Sequence, residues 1–478
     1  MTPTTSRDQG PERRSTSRSR RARAARRRRQ RRLLLAIPLL LLAVLVVVGA
    51  VRAMHRSHGD GAVALAARQH QAARAPLVTR EGDGGASADQ GQGQRPIAVG
   101  PRVIHHYPRD IQVLSFGYRA WNGASCYALV VVPAWYRKAG RPPLPLVISS
   151  HGRGGGPLAP VHRWRHLEAK DGFILVAPSG QGRRYAAYSF AAPGQLSDLM
   201  RMPELVRRAF PWLRIRRRCV YAAGSSMAGM EALMLAARYP DRIAACVAAD
   251  PVTDLAARWD VMPISHMTGT GVQDIVSLEV GGTPAQVPLD YAVRSPLAYA
   301  RNLAFDGVPL LIYWSPKDRE VMNQSQEQAG RLCRRIRAFN PSAPLKEVVT
   351  DLPHGFAYSF KERLPQALHF LHPGGHWRTV QANPPPHWYY ASAQPSETFW
   401  GYRFTAREAP PAFWHVGSAS STLLKVVSAQ PLSVAIPPRE GTQALMRVAG
   451  HDRLFTGTGG HRILVRLPAG SATVRLSP

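Results

Sequence analysis

The sequence predicts a doubly wound α/β domain, with helices on both faces of a mostly parallel sheet, followed by a small all-β domain. Three observations predict it. Short runs such as "LPLVISSHG" (144–152), "FILVAPSG" (173–180), "CVYAAGSS" (219–226), "AACVAADP" (244–251) and "PLLIYWSP" (309–316) are continuously apolar rather than alternating. That is the pattern of strands covered on both faces. Helix-like segments at 158–170, 197–209, 227–239, 320–338 and 361–371 lie between them, and strand–helix alternation builds parallel sheets. After "HPGGHW" (372–377) the texture turns to short, often alternating runs broken by Gly and Pro, which read as antiparallel β-structure.

Taken in order, the chain starts with a basic tail. Of its 478 residues, 62 are Lys or Arg and 30 are Asp or Glu, for a net charge of +32. Thirteen arginines fall within residues 1–32, against Asp8 and Glu12. With almost no large apolar residue, this segment is expected to be disordered and cytoplasmic. "LLLAIPLLLLAVLVVVGAV" (33–51) follows without a charge. It is long enough to cross a bilayer as a helix, and its basic flank sets the orientation. The expectation is a single-pass signal-anchor with an extracytoplasmic body. A signal peptide cleaved after export is the alternative, and Arg31-Arg32-Leu33-Leu34 is a loose match to a twin-arginine signal. The arginine cluster therefore points to anionic lipid at the membrane face, and no nucleic-acid partner is expected. Residues 52–103, with "EGDGGASADQGQGQ", read as a flexible linker.

Residues 104–374 make the α/β domain. Two further β-like runs, 111–118 and 126–136, open it, and 345–354 closes its sheet. Residues 255–290 fit no strand–helix unit and are expected to cap the C-terminal edge of the sheet. Residues 375–395, with "NPPPHWYYASAQPS", read as a bridge, and 396–478 as a β-sandwich. Its aromatics, with Trp388 in the bridge and Trp400, Tyr402 and Trp414 in the sandwich, are expected in a core; a platform for cell-wall polysaccharide is the alternative. The four cysteines, Cys126, Cys219, Cys246 and Cys333, permit disulfides in an exported body, or stay as buried thiols. No C-x-x-C pair supports zinc or redox chemistry, and no cofactor or metal is expected.

The chemistry concentrates at strand ends. Gly224-Ser225-Ser226-Met227-Ala228-Gly229 lies between an apolar strand-like run and a helix-like segment. It nearly matches G-x-S-x-G, in which a serine sits on a sharp strand-to-helix bend. Small residues are needed two positions either side of that serine, where strand and helix approach closely. Ala228 keeps the size small, so Ser226 is the expected nucleophile. Ser225 is the weaker choice, because Met227 would occupy its +2 position. His151-Gly152-Arg153-Gly154-Gly155-Gly156 follows the third strand. A developing oxyanion needs two convergent N–H donors. Met227 is expected to supply one and Arg153 the other, with Gly154 as second choice.

A serine hydroxyl also needs a base, and the base a partner to orient it. Among 17 histidines, His354 in "DLPHGF" follows the last strand-like run. Asp318 in "YWSPKDREV" ends the run before it, and Asp250 is the alternative acid. The order Ser226, Asp318, His354 is the one this strand–helix layout uses.

On these residues, positions 104–372 resemble the α/β-hydrolase superfamily. Within it they resemble secreted serine esterases of the polyhydroxybutyrate-depolymerase and feruloyl-esterase kind, through "PLVISSHGRGGG", "DGFILVAPSG", "RCVYAAGSSMAG" and "DLPHGF". "YPDRIAACVAADPVTDL" and "RSPLAYARNLAFDGVPLLIYWSPKDREV" are similar to catalytic domains of the prolyl-oligopeptidase type. Those enzymes usually carry a β-propeller ahead of the hydrolase domain, where this sequence has a linker, which favours an esterase. The resemblance implies a cofactor-free Ser-His-Asp mechanism on a carboxylic ester, with a peptidase or an acyltransferase acting on cell-envelope material as the alternative. A non-catalytic polysaccharide-binding protein is a further reading, opposed by the full set of catalytic residue types.

Overall fold

The computed structural model describes residues 110–136, 141–261, 272–355, 363–420, 423–437, 443–448, 451–456 and 463–477. The expected tail, membrane span and linker (1–103) lie outside them. Among the described residues no helix is long and apolar enough to cross a membrane.

Eight strands form the central sheet: β1 (Ile111–Arg119), β2 (Ser125–Pro133), β3 (Leu144–Ile148), β4 (Ile174–Pro178), β5 (Ile215–Ser225), β6 (Ala245–Ala249), β7 (Leu310–Trp314) and β8 (Leu345–Val349). Their spatial order is β1-β2-β4-β3-β5-β6-β7-β8. β2 runs antiparallel to β1 and β4, and every pair from β4 to β8 is parallel. β5 shows why its residues make a central strand. Val220 and Ala222 pack into one apolar cluster, and Cys219, Tyr221 and Ala223 into another on the opposite face. Each face therefore has its own apolar layer, which explains the unbroken apolar runs. β8 is one of the two edge strands, and it is only half buried.

Helices α1 (Leu158–Asp171), α2 (Pro193–Ala209), α3 (Met227–Arg238), α4 (Leu255–Asp260), α5 (Val272–Val280), α6 (Pro288–Ala292), α7 (Ala300–Phe305), α8 (Ala329–Phe339) and α9 (Arg363–Leu371) fill the connections. Most of the expected helices fall here, with one correction. The segment 320–338 was expected to be wholly helical, but only Ala329–Phe339 is helix. Before it, side chains hold the backbone in turns. Asp318 accepts the N–H groups of Glu320 and Val321, Gln324 accepts that of Ala329, and Asn323 has φ +58°. The excursion between β6 and β7 carries α4, α5 and α6. Glu279 of α5 accepts the N–H groups of Arg183, Arg184 and Tyr185, which ties this excursion to the loop after β4.

The C-terminal strands are β9 (Tyr389–Ser392), β10 (Ser396–Phe399), β11 (Tyr402–Ala406), β12 (Trp414–Ser420), β13 (Leu423–Ser428), β14 (Leu432–Ile436), β15 (Gln443–Val448), β16 (His451–Thr456), β17 (Ile463–Leu467) and β18 (Gly470–Ser477). They form two antiparallel sheets, β10-β11-β14-β17 and β16-β15-β18-β13-β12-β9. The first strand, β9, pairs with β12 and lies inside the stretch expected to be a bridge. Pro384 to Pro386 hid it, because the proline run masks the short alternation that follows. Trp388, Trp400, Tyr402 and Trp414 are all buried in the sandwich core. All four cysteines are buried free thiols.

Candidate active site

β5 ends at Ser225 and α3 begins at Met227, so a single residue, Ser226, makes the bend. Its backbone sits at φ +61°, ψ −127°. A side chain there costs about 1–3 kcal/mol and persists only when its surroundings enforce it. Those surroundings are visible. Ser226 N–H donates to Ala249 O at 2.9 Å, and Ser226 O accepts from Met230 N–H at 3.0 Å. A Cβ on Gly224 would lie 2.3 Å from Ala228 O and 2.7 Å from Ala228 Cβ. The position two before the serine therefore has to be glycine, while an alanine is accommodated two after it. Ser225 has a different environment: its hydroxyl accepts a hydrogen bond from Arg163 Nη1 at 2.8 Å.

Asp318 stands beyond the end of β7, and His354 beyond the end of β8. His354 Nδ1 meets Asp318 Oδ2 at 2.8 Å. Three more donors converge on the same carboxylate: Glu320 N–H at 2.8 Å, Val321 N–H at 2.9 Å and Gln324 Nε2 at 3.0 Å. Burial alone would raise the Asp318 carboxyl. The hydrogen bond and charge of His354, then the N–H of Val321 and the Gln324 amide, outweigh it and hold the group below the usual carboxylate range. An ionised Asp318 fixes the imidazole with a proton on Nδ1, leaving Nε2 as the basic nitrogen. His354 and Ser226 line one cleft of about 320 Å³, together with Arg153, Met227, Arg163 and Arg258.

The loop after β3 passes beside the serine: a Cβ on Gly152 would lie 4.0 Å from Ser226 Cβ. Of the expected oxyanion donors, Gly154 is corrected. Its N–H donates to Ala187 O at 2.9 Å, with φ +70°, so the neighbouring loop after β4 takes that donor. The N–H groups of Arg153 and Met227 meet no acceptor among the described residues. His151 anchors the loop from below. It is buried, with Nδ1 2.9 Å from Gly152 O and Nε2 2.6 Å from Ser179 O.

Two buried carboxyls take places that sequence reasoning did not give them. Asp250 was weighed only as an alternative acid. It lies at the end of β6, wholly buried, and its Oδ2 accepts from Gly355 N–H at 3.0 Å. It thus holds the residue next to His354 rather than His354 itself. Burial, then the charge of Asp318, pushes Asp250 up to about 6, against the pull of His354 and the Gly355 N–H. Oxygens of Asp250 and Asp318 and a ring nitrogen of His354 lie within 4.8 Å of one another. They are the cluster among the described residues spaced as metal ligands would be, and hydrogen bonds within the triad loops account for that spacing. Glu231, on α3 beneath the bend, accepts from Ser189 Oγ at 2.5 Å. Burial raises its carboxyl, opposed by the hydroxyls of Ser150 and Ser189 and by His151. The signals were there: Asp250 sits at a strand end like the other site residues, and Glu231 is the lone acid in a helix otherwise apolar up to its last residue, Arg238.

Every candidate group comes from the C-terminal edge of a parallel sheet whose β2 runs backwards. The chain has the α/β-hydrolase fold. No protein-family profile matches it, and no curated protein does. Among solved structures it is similar to an acylaminoacyl peptidase from Pyrococcus horikoshii, at TM-score 0.42 and 14% identity over 55% of this chain and 42% of that one. It is similar to an acetyl xylan esterase from Paenibacillus sp. R4, at TM-score 0.42 and 14% identity over 59% of this chain and 89% of that one. It is also similar to an S-formylglutathione hydrolase from Agrobacterium tumefaciens, at TM-score 0.40 and 14% identity over 58% and 98%. The chain thus spans under half the length of the peptidase it matches. At these scores, function has to be read from the site's own geometry.

Proposed function

We propose that this protein is a serine hydrolase that cleaves carboxylic esters through an acyl-enzyme. One observation carries the reading: a serine held at positive φ on a strand-to-helix bend shares a cleft with a histidine whose Nδ1 is bound to a buried carboxylate. In this mechanism Ser226 Oγ attacks the ester carbonyl while His354 Nε2 takes its proton. The N–H groups of Met227 and Arg153 receive the negative charge that forms on the carbonyl oxygen. As the C–O bond to the alcohol breaks, His354 returns the proton to the departing oxygen. Water then attacks the acyl-enzyme, giving a proton to His354, which passes it to Ser226 Oγ as the acyl–oxygen bond breaks and the acid leaves. Asp318 stays ionised and stabilises the imidazolium in both halves.

The substrate is proposed to be an ester of the cell envelope. The basis is the uncharged span 33–51 behind an arginine-rich tail, which reads as a single-pass anchor with the hydrolase outside and the tail against anionic lipid. A peptidase or acyltransferase would use the same residues. Burial of Trp388, Trp400, Tyr402 and Trp414 speaks against the sandwich as a carbohydrate platform.

A fluorophosphonate probe, which phosphonylates activated serines, tests the reading. Labelling of the wild-type chain that disappears in Ser226→Ala is expected. Equal labelling of the two proteins would overturn it.

A further inference from the structure

Arg258 on α4 lines the cleft beside Ser226, Met227 and His354. It is only 4% exposed, and its Nη1 is buried with no hydrogen-bond partner among the described residues. The nearby acids are committed elsewhere. Asp318 is filled by His354, Gln324 and two backbone N–H groups. Glu320 lies out in solvent and pairs with Arg153 at 3.4 Å. Asp254, one turn before Arg258, caps α4 and pairs with Arg331 at 3.4 Å. Two more guanidinium-bearing residues, Arg153 and Arg163, line the same cleft.

A buried charge left without a partner is costly, so a protein that keeps one is suited to a partner that arrives with the ligand. Burial, then the nearby Arg153, pushes Arg258 down to about 10, which still leaves it cationic at neutral pH. A guanidinium offers a planar fork that matches carboxylate and phosphate oxygens. Neither a neutral alkyl ester nor a neutral sugar ester would neutralise its charge.

We propose that the cleft selects esters carrying an anionic group, a carboxylate or a phosphate, within a few bonds of the scissile carbonyl, and that Arg258 is the residue that holds it. This rests on the reading of Ser226 as the nucleophile. The acyl part then enters with its charge toward α4, and the carbonyl carbon meets Ser226.

Three 4-nitrophenyl esters of the same acyl length test it on the full chain: the glutarate monoester, its neutral glutaramate, and the 4-phosphonobutyrate. The wild type is expected to favour at least one anionic ester over the glutaramate by about tenfold or more in kcat/KM, mainly through KM. Which anion wins tells carboxylate from phosphate recognition. Arg258→Gln is expected to erase the anion preference, and Arg258→Lys, which keeps the charge but not the fork, to retain part of it. A wild-type preference for the glutaramate, or a ratio unchanged in Arg258→Gln, would overturn the proposal. The wild-type ratio decides even where a variant does not fold. Failure to cleave any of the three, with no fluorophosphonate labelling, would overturn the hydrolase reading instead.

Discussion

At the residue scale, two serines and two aspartates compete for two roles, and their surroundings separate them. Both serines line the cleft, but Ser225 spends its hydroxyl on Arg163, whereas Ser226 is the strained residue at the bend. Ser226→Ala is expected to lower ester turnover by about a millionfold, and Ser225→Ala by less than about tenfold, read on 4-nitrophenyl butyrate. The reverse ranking would move the nucleophile by one residue. The aspartates separate in the same way. Asp318→Asn leaves the histidine in the wrong tautomer and is expected to cost about 10⁴ in kcat. Asp250→Asn keeps an acceptor for Gly355 and is expected to be mild in activity. Its signature is in stability. A carboxyl raised from 3.8 to about 6 binds its proton more tightly folded than unfolded. The wild type therefore keeps this contribution below about pH 4 and loses it as the pH rises through 6, by about 3 kcal/mol at most. Urea melts at pH 4 and pH 7 are expected to show Asp250→Asn gaining on the wild type as the pH rises. A gap that stays constant would mean Asp250 does not titrate in that range.

At the level of single elements, the bend between β5 and α3 depends on a glycine more than on the serine it presents. Gly224→Ala would place a Cβ 2.3 Å from Ala228 O, a backbone atom that cannot step aside. We expect it to destabilise the fold by about 2–4 kcal/mol and to lower activity with it, as read by thermal melting. A variant as stable as wild type would mean the bend is looser than it stands here. This element was legible in the sequence because its requirement is local: small residues on either side of a serine, after a strand and before a helix. The placing of Ser226, Asp318 and His354 was legible for a similar reason, since each follows the end of a strand. What stayed hidden depends on side chains meeting across elements. Nothing near Gly154 in the sequence says that its N–H is taken by Ala187. Nothing near Arg258 says that a short helix turns it into the cleft. The turns at 320–328 read as helix because Gln324, which helps hold them, is itself a good helix former.

At the scale of the whole molecule, the described residues belong to one compact unit, and the joint between hydrolase and sandwich is built on α3, the helix that follows Ser226. Arg238, the last residue of α3, pairs with Glu397 of β10 at 2.7 Å, each side chain only 4% exposed. Tyr390 of β9 donates its hydroxyl to Arg238 O at 3.0 Å. Asn302 of α7 bridges Ala237 O at 3.1 Å and Ala391 O at 3.2 Å, and accepts Ala391 N–H at 3.0 Å. Trp400 N–H donates to Asp241, just past α3, at 2.9 Å. A detachable binding module would leave a solvated linker at this place, but here β9 itself supplies part of the joint. Removing one member of a buried ion pair strands the other charge, at about 3–5 kcal/mol. Glu397→Ala is therefore expected to lower stability by about that much, with activity on small soluble esters falling as the folded fraction falls. Deleting 389–478 is expected to go further and leave the hydrolase largely insoluble, because the apolar face of α7 and the Arg238 guanidinium lose their cover together. Yield, melting temperature and turnover of 4-nitrophenyl butyrate would be measured on both proteins. A truncated chain that melts like the full one and keeps full turnover, yet no longer adheres to insoluble polysaccharide, would make the sandwich a binding module and the buried joint incidental to the site.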